Sequence, residues 1–268
     1  MNSINVLGVY REQVFSPGKV QDDAAILDAS LAAISRAGYR VASVMAEALD
    51  FSTPRPDKVL SMAQSKRPLA VLSEWQQRGT RVVNTVQSIL NCYRKPLTGL
   101  LREAGVCMPP SRMLTLAEAE RGIDLRLHSR VWLKRGDVHA MQAGDVIALE
   151  SEKEVPRALD HFRRYNISDI LVQEHVEGHV VKFYGIGHGE YFRAYLAATG
   201  EDVTSRVRSL IDLAVQAAQV VGLEVYGGDA VLTNQEEVFL IDLNDWPSFS
   251  RCCSTAAESI ASYLIGRN

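Results

Sequence analysis

The sequence predicts an α/β protein: a doubly wound parallel sheet at the N-terminus, then two β-rich modules that make the rest of the chain α+β. Three observations carry this. Over residues 1 to about 90, apolar runs of strand length alternate with helical patterns, the signature of a parallel sheet. Past a boundary near residue 105 the rhythm changes to closely spaced strands. Near the end, VYGGDAVLTNQEEVFLIDLNDWPSF (residues 225–249) reads as a hairpin whose apolar strands carry Asp229, Asp242 and Asn244.

The N-terminal module, residues 1–90, opens with INVLGVY, a short apolar run expected to be a buried strand. The polar loop REQVFSPGKVQDD follows. AAILDASLAAISRAG then places Ile26, Leu27, Leu31 and Ile34 at helical spacing and stops at Gly38. YRVASVM and KVLSMA are strand candidates, PLAVLSEWQQRG a helix with a glycine stop, and TRVVN a short strand. Ligands of such sheets bind at the carboxyl ends of the strands, which puts Tyr10, Arg11 and the loop through Lys19 near a site.

The central module, residues 91–175, begins within a helical stretch, TVQSILNCYRKPLTGLLREAG. Pro96 suits a first helical turn and Gly105 a helix end. VCMPPSRML leads onward. RVWLKRGD is a strand whose alternation sets Trp132 and Lys134 on one face. After a glycine-containing loop come the strand DVIALES, the helix EVPRALDHFRRYN, and the strand DILVQEHV, which runs out at Glu174. The C-terminal module, residues 176–268, holds two strands joined at GHGE, the helix VTSRVRSLIDLAVQAAQVVG, the acidic hairpin, and a closing helix, TAAESIASYLIGR.

With 47% hydrophobic and 23% charged residues, the composition is that of an ordinary globular protein. The net charge of −3 gives no electrostatic reason to expect nucleic acid as partner. No apolar run approaches the roughly 20 residues of a membrane span. Cys92, Cys107, Cys252 and Cys253 lack metal-type spacing, and the N-terminal run lacks the basic flank and cleavage site of a signal peptide. A cytoplasmic protein with reduced thiols is expected.

Aspartate and asparagine are poor strand formers, and two carboxylates facing each other across a hairpin repel. Taking NQEE (234–237) as the loop pairs Thr233 with Val238, Val231 with Leu240 and Asp229 with Asp242. Asn244, two residues on, shares the face of Asp242. Three oxygen-bearing side chains then converge, a set that suits Mg²⁺, which takes a few carboxylates and keeps other positions for water and phosphate. A wet hairpin end would explain isolated polar residues, but VFLIDLN is too apolar for that. NDWPSF is expected to be an ordered turn with Trp246 extended ahead of Pro247.

At this point the chain resembles the ATP-grasp superfamily, whose C-terminal signature is an acid on one strand and acid-x-Asn on the next. Asp229, Asp242 and Asn244 match in type and order. NTVQSILNCYRKPLTGLLREAGVCMPPS with Lys95, VWLK with Lys134, and LVQEHVEGHVVKFYGIG follow in the family's order. The likeness spans roughly residues 80 to 250 and is closest in kind to carboxylate–amine ligases of the RimK and glutathione-synthetase type.

The resemblance implies ATP held between the central and C-terminal modules. Lys95 and Lys134 would meet its phosphates, Gln173 and Glu174 the adenine, and Glu177 the ribose, with Mg²⁺ on Asp229, Asp242 and Asn244. It implies an acylphosphate formed on a small-molecule carboxylate and attacked by an amine, with Lys182 and Arg193 facing the acceptor. Assembly into dimers or tetramers is common among relatives. Two departures stand out. RAYLAATGEDV lacks the asparagine of many ligases' Arg-x-Asn element, and the phosphate-covering loop KRGDVHAMQAGDV is poor in glycine, with His139 inside it. The alternatives are a small-molecule kinase like the inositol-phosphate kinases, which share the Gln-Glu strand, Lys-x-Tyr and acid-x-Asn-x-x-Pro, and a non-catalytic nucleotide-binding module.

Overall fold

The computed structural model describes residues 5–123, 130–138, 141–142 and 144–266. Three four-stranded sheets are drawn from successive stretches of chain. In the first, β1 (Val6–Tyr10), β2 (Val41–Met45), β3 (Lys58–Ser61) and β4 (Arg81–Val83) run parallel in the order β2-β1-β3-β4. The period of two sorts the side chains. Val6, Leu60 and Val83 face α1 (Val20–Arg36), while Leu7, Val9, Val59 and Val82 face α2 (Lys66–Gln77). Helices on both faces make this the doubly wound sheet the sequence predicts. Helix α1 starts four residues ahead of the predicted Ala24, because Asp22 and Asp23 suit the positive end of a helix.

Two short helices follow, α3 (Val86–Asn91) and α4 (Arg94–Glu103), where the sequence suggested one continuous helical stretch. The second sheet is antiparallel in the order β5-β8-β6-β7, from β5 (Ser111–Thr115), β6 (Val131–Arg135), β7 (Val146–Leu149) and β8 (Asp169–Glu174). Leu133, Ile170 and Val131 on one face pack on Phe162 and Leu159 of α6 (Val155–Arg164) and Ala119 of α5 (Leu116–Glu120). The opposite face carries Trp132, Lys134 and Gln173, with Trp132 and Gln173 direct cross-strand neighbours.

The third sheet has the order β10-β9-β11-β12, from β9 (His179–Ile186), β10 (Tyr191–Leu196), β11 (Val225–Leu232) and β12 (Val238–Asp245). Helix α7 (Arg208–Val221) covers the face bearing Val181, Phe183, Ala230 and Leu240. It begins five residues later than the predicted Val203, because Asp202 accepts from the Thr204 amide and holds a turn there. Helix α8 (Cys253–Gly266) returns to pack on α1, and their core includes Tyr184, Ile186, Trp246 and Phe249 of the third module. Buried Asn84 clamps the start of β11, accepting from the Val225 amide at 2.9 Å and donating to its carbonyl at 2.7 Å. The first sheet and the hairpin are therefore one packed body.

The hairpin departs from its predicted register. Asp229 does pair with Asp242, but a bulge follows, so Ala230 pairs with Leu240, Val231 with Phe239 and Leu232 with Val238. The regular register would put Leu240 on the acids' face. One extra residue on β12 reverses that, sending Leu240 into the core and leaving Ile241 and Asp242 both on the cavity side. The loop shortens accordingly, with the Thr233 amide bonding the Glu237 carbonyl and Glu236 at φ 64°. Trp246 is not extended: its φ is 41°. It is fully buried, and its indole donates to the Val83 carbonyl at 3.0 Å, a tertiary contact that overrides the local bias set by Pro247.

Candidate functional site

Between the second and third sheets lies a cavity of about 280 Å³. Trp132, Val146, Val180, Val231 and Ile241 give it apolar walls, and Lys134, Arg94, Gln173, Glu174, Asp229 and Asp242 give it polar ones. The hinge His175–Gly178 closes one end. There the Trp132 indole donates to His175 Nδ1 at 3.1 Å. An indole N–H can only donate, so the imidazole carries its proton on Nε2 and gives it to Glu177 Oε1 at 3.0 Å. A concave, mostly apolar slot with a few convergent polar groups is the usual form of a small-molecule site.

Lys134 is buried, and its ammonium donates to the Ile241 carbonyl at 3.1 Å, the carbonyl that the bulge turns inward. Burial, reinforced by the Arg94 cation and opposed by Asp242 and Asp229, lowers its pKa to about 8. Arg94 lies 3.5 Å from Asp242 Oδ1 with its side chain 5% exposed. Its Nε is buried with no hydrogen-bond partner among the described residues. Two buried cations beside a cavity, one with an unused donor, are arranged for an incoming anion.

A second, outer cavity of about 480 Å³ opens on the other side of the acids. Lys182, Tyr184, Asn244, Arg11, Lys19 and Arg251 are among the residues lining it, and Asp229 and Asp242 belong to both cavities. Asn244 donates from Nδ2 to Asp242 Oδ2 at 3.1 Å, and Lys182 donates to Asp229 Oδ1 at 2.8 Å. Arg11 bonds the Trp246 carbonyl at 2.6 Å and Asp23 at 3.2 Å, which fixes the turn after β12 against the N-terminal loop. Asp245, buried beside it, accepts twice from the Gln64 amide at 3.0 Å.

The structure thus brings Lys134, Gln173, Glu174, Asp229, Asp242, Asn244 and Lys182 to one place, with Arg11 and Lys19 of the N-terminal loop. It does not bring the others. Lys95 has its side chain 59% exposed and pairs with Asp169 at 2.9 Å, outside both cavities. On α4 the buried positions are Arg94, Leu97 and Leu101, so Lys95 falls one step off the inward face. Glu177 is 89% exposed and turned to His175 rather than into the slot. Arg193 sits beside Tyr184 on the site face of the third sheet, but stacks over Tyr191 and bonds the Phe192 carbonyl, away from the cavity. The Tyr10 hydroxyl donates to Asp28, also away from it. His139 lies outside the described residues.

Sequence reasoning missed Arg94, whose signal was present in its i, i+3, i+7 spacing with Leu97 and Leu101. Arg251, just beyond the Trp-Pro turn, gave no signal of its own.

The donor set at the junction of the cavities fits a divalent cation: two carboxylates and an amide oxygen on neighbouring strands, hard oxygen ligands open to two spaces.

No protein-family model matches the chain, and no curated protein matches it. Solved structures do. D-alanine–D-alanine ligase from Coxiella burnetii superimposes with a TM-score of 0.76 at 15% identity, over 99% of this chain and 96% of that one. A RimK domain ATP-grasp protein from Sphaerobacter thermophilus DSM 20745 gives 0.72 at 21% identity, over 98% and 100%. The ATP-grasp ligase PsnB, complexed with a phosphomimetic variant of its minimal precursor, Mg and ADP, gives 0.71 at 17% identity, over 98% of each chain. At these identities what is shared is the fold.

Proposed function

The chain has the ATP-grasp fold, and on that premise we propose that it is an ATP- and Mg²⁺-dependent carboxylate–amine ligase. The observation that carries the reading is the junction. A mostly apolar slot and a cation-lined cavity meet at Asp229 and Asp242, an arrangement in which a phosphoryl group leaving the first space would enter the second beside the acids.

In this reading Gln173 and Glu174, at the end of β8, lie beside the base, and Trp132, Val146 and Ile241 enclose it. Arg94 and Lys134 take the phosphates. Asp229, Asp242 and Asn244 would hold Mg²⁺, which when bound neutralises β- and γ-phosphate charge as the bridging bond lengthens. Lys182 orients the acceptor carboxylate. One carboxylate oxygen attacks the γ-phosphorus, the bond to the β-phosphate oxygen breaks, and ADP and an acylphosphate result. An amine then adds to the acyl carbon, and phosphate leaves with the C–O bond, giving an amide and releasing a proton. The cations hold charge in place throughout, so catalysis is positioning and electrostatics.

The test is ADP formation by the purified protein against panels of acids and amines. Turnover that requires both an acid and an amine supports the ligase. Turnover with a polyol phosphate alone makes the protein a kinase, and nucleotide binding without turnover leaves a binding module.

A further inference from the structure

The outer cavity holds more positive charge than the proposed acyl transfer uses. Four cations line it: Arg11, Lys19, Lys182 and Arg251. Two are engaged by carboxylates, Arg11 with Asp23 at 3.2 Å and Lys182 with Asp229 at 2.8 Å. The cavity's other acids have partners elsewhere: Asp242 has Arg94, and Asp245 has the Gln64 amide. Lys19 and Arg251 have no carboxylate within salt-bridge distance among the described residues, and both are exposed.

Arg251 is held in place without such a partner. Its guanidinium lies over the Tyr195 ring at 5.9 Å, and its NH1 packs so closely on Gly200 that a β-carbon there would stand 2.3 Å away. Gly200 has φ 77°, a conformation that independently favours glycine. Tyr195 is in turn the direct cross-strand neighbour of Lys182. The Arg251 charge therefore rests against ring and backbone beside the lysine proposed to meet the reacting carboxylate. Lys19 stands on the N-terminal loop, on another wall of the same cavity. Ser250 and buried Ser248 add hydroxyls to the lining of the same cavity.

We propose that Lys19 and Arg251 bind a second anionic group on the acceptor, remote from the carboxylate that is activated, so that the substrate is a dicarboxylic or phosphate-bearing acid rather than a simple monoacid. The inference rests on the ligase reading for which acceptor group reacts, but the charge recognition is testable at equilibrium. A guanidinium pre-oriented on an aromatic ring loses little freedom on binding, and its fork suits either a carboxylate or a phosphate.

The experiment is calorimetric titration of the full chain, loaded with Mg²⁺ and AMPPNP, with glutarate, 3-phosphonopropionate and butyrate, repeated on Lys19→Met, Arg251→Met and the double variant. Glutarate or 3-phosphonopropionate is expected to bind at least about tenfold tighter than butyrate, the preference falling in each single variant and vanishing in the double one. Which of the two anions binds tighter tells carboxylate from phosphate. Equal affinities for all three probes, no binding of any, or a preference that survives in the double variant overturns the proposal. AMPPNP binding is read in the loading step, so failure there overturns the nucleotide site and is distinguishable from failure of the second anion site.

Discussion

Lys182 Nζ lies 2.8 Å from Asp229 Oδ1, and the two are direct cross-strand neighbours on β9 and β11. Their side chains are 41% and 28% exposed, so the pair adds little to stability. It matters because a divalent cation on Asp229 competes for the same oxygen. Metal loading would turn the ammonium toward the outer cavity, where the acceptor would sit. Lys182→Met should therefore bind Mn²⁺ tighter without nucleotide, by up to about fivefold. Its turnover should fall by about a hundredfold or more. Mn²⁺ titration followed by electron paramagnetic resonance checks the first point, and weaker or unchanged Mn²⁺ binding would show that the lysine does not compete.

Asp242 is the group shared by both cavities, Arg94 and the Asn244 amide. Asp242→Asn keeps its volume and removes its charge. Turnover should drop by about a thousandfold, in the range seen when a preorganised electrostatic partner is lost. Mn²⁺ binding should weaken beyond detection at millimolar concentration. A variant that turns over like the wild type would move the metal away from the hairpin.

The acids were legible because their chemistry conflicts with their setting. Aspartate on an apolar strand opposite another aspartate calls for a cation, and the expected register paired Asp229 with Asp242 correctly, although its pairs nearer the loop, Thr233 with Val238 and Val231 with Leu240, are shifted by one residue. The bulge after Asp229 was not legible, since an extra residue leaves the alternation of VFLIDLN looking regular from either end. The parallel sheet and its glycine-stopped helices were readable from periodicity. The return of α8 onto α1 was not, because a helix pattern says which face is apolar and not what will cover it. Arg251 illustrates the same limit: Tyr195 and Gly200, which hold it, are remote in the sequence.

With a pKa of about 8, Lys134 should make nucleotide affinity sensitive to pH where an ordinary lysine would be silent, provided that it meets the phosphates as proposed. The sign follows from which form the ligand favours. Below about 8 the ammonium is charged and attracts phosphate, whereas above it the free protein must take up a proton to bind. Affinity should be flat from pH 7 to 7.5 and fall from about 8 upward, approaching a tenfold loss per pH unit. Lys134→Arg keeps its charge across this range and should flatten the profile. Titrating AMPPNP at successive pH values decides it, and a wild-type profile flat to pH 9.5 would assign the phosphates to other groups.

Gly228 precedes Asp229, and a β-carbon on it would come within 2.1 Å of the Asp242 carbonyl and 2.7 Å of the Phe183 ring. No side chain fits there without prising β11 from β12. Gly228→Ala should cost about 1–3 kcal/mol in denaturant melts. It should also weaken Mn²⁺ binding, although no charge has changed. A variant that kept wild-type stability but lost Mn²⁺ would point to a purely local shift of Asp229, and one that kept both would show that the strands can part.

Arg94 and Lys95 are adjacent on α4, and the helix gives them opposite surroundings. Arg94 shares the buried face with Leu97 and Leu101 and reaches Asp242, while Lys95 is mostly exposed and reaches Asp169. A phosphate in the inter-sheet cavity meets the first and not the second. A buried guanidinium with an unused Nε gains a charge-assisted bond when the anion arrives, whereas an exposed ammonium exchanges one partner for another in water. Arg94→Gln should raise the dissociation constant of AMPPNP at least about tenfold. Lys95→Gln should change it by no more than about twofold. Melting curves must show both variants folded, since Arg94→Gln also leaves Asp242 with less compensation. The opposite ordering of the two affinities would mean that α4 turns by about 100° when nucleotide binds, the angle between successive residues of a helix, and would return the phosphate contact to Lys95.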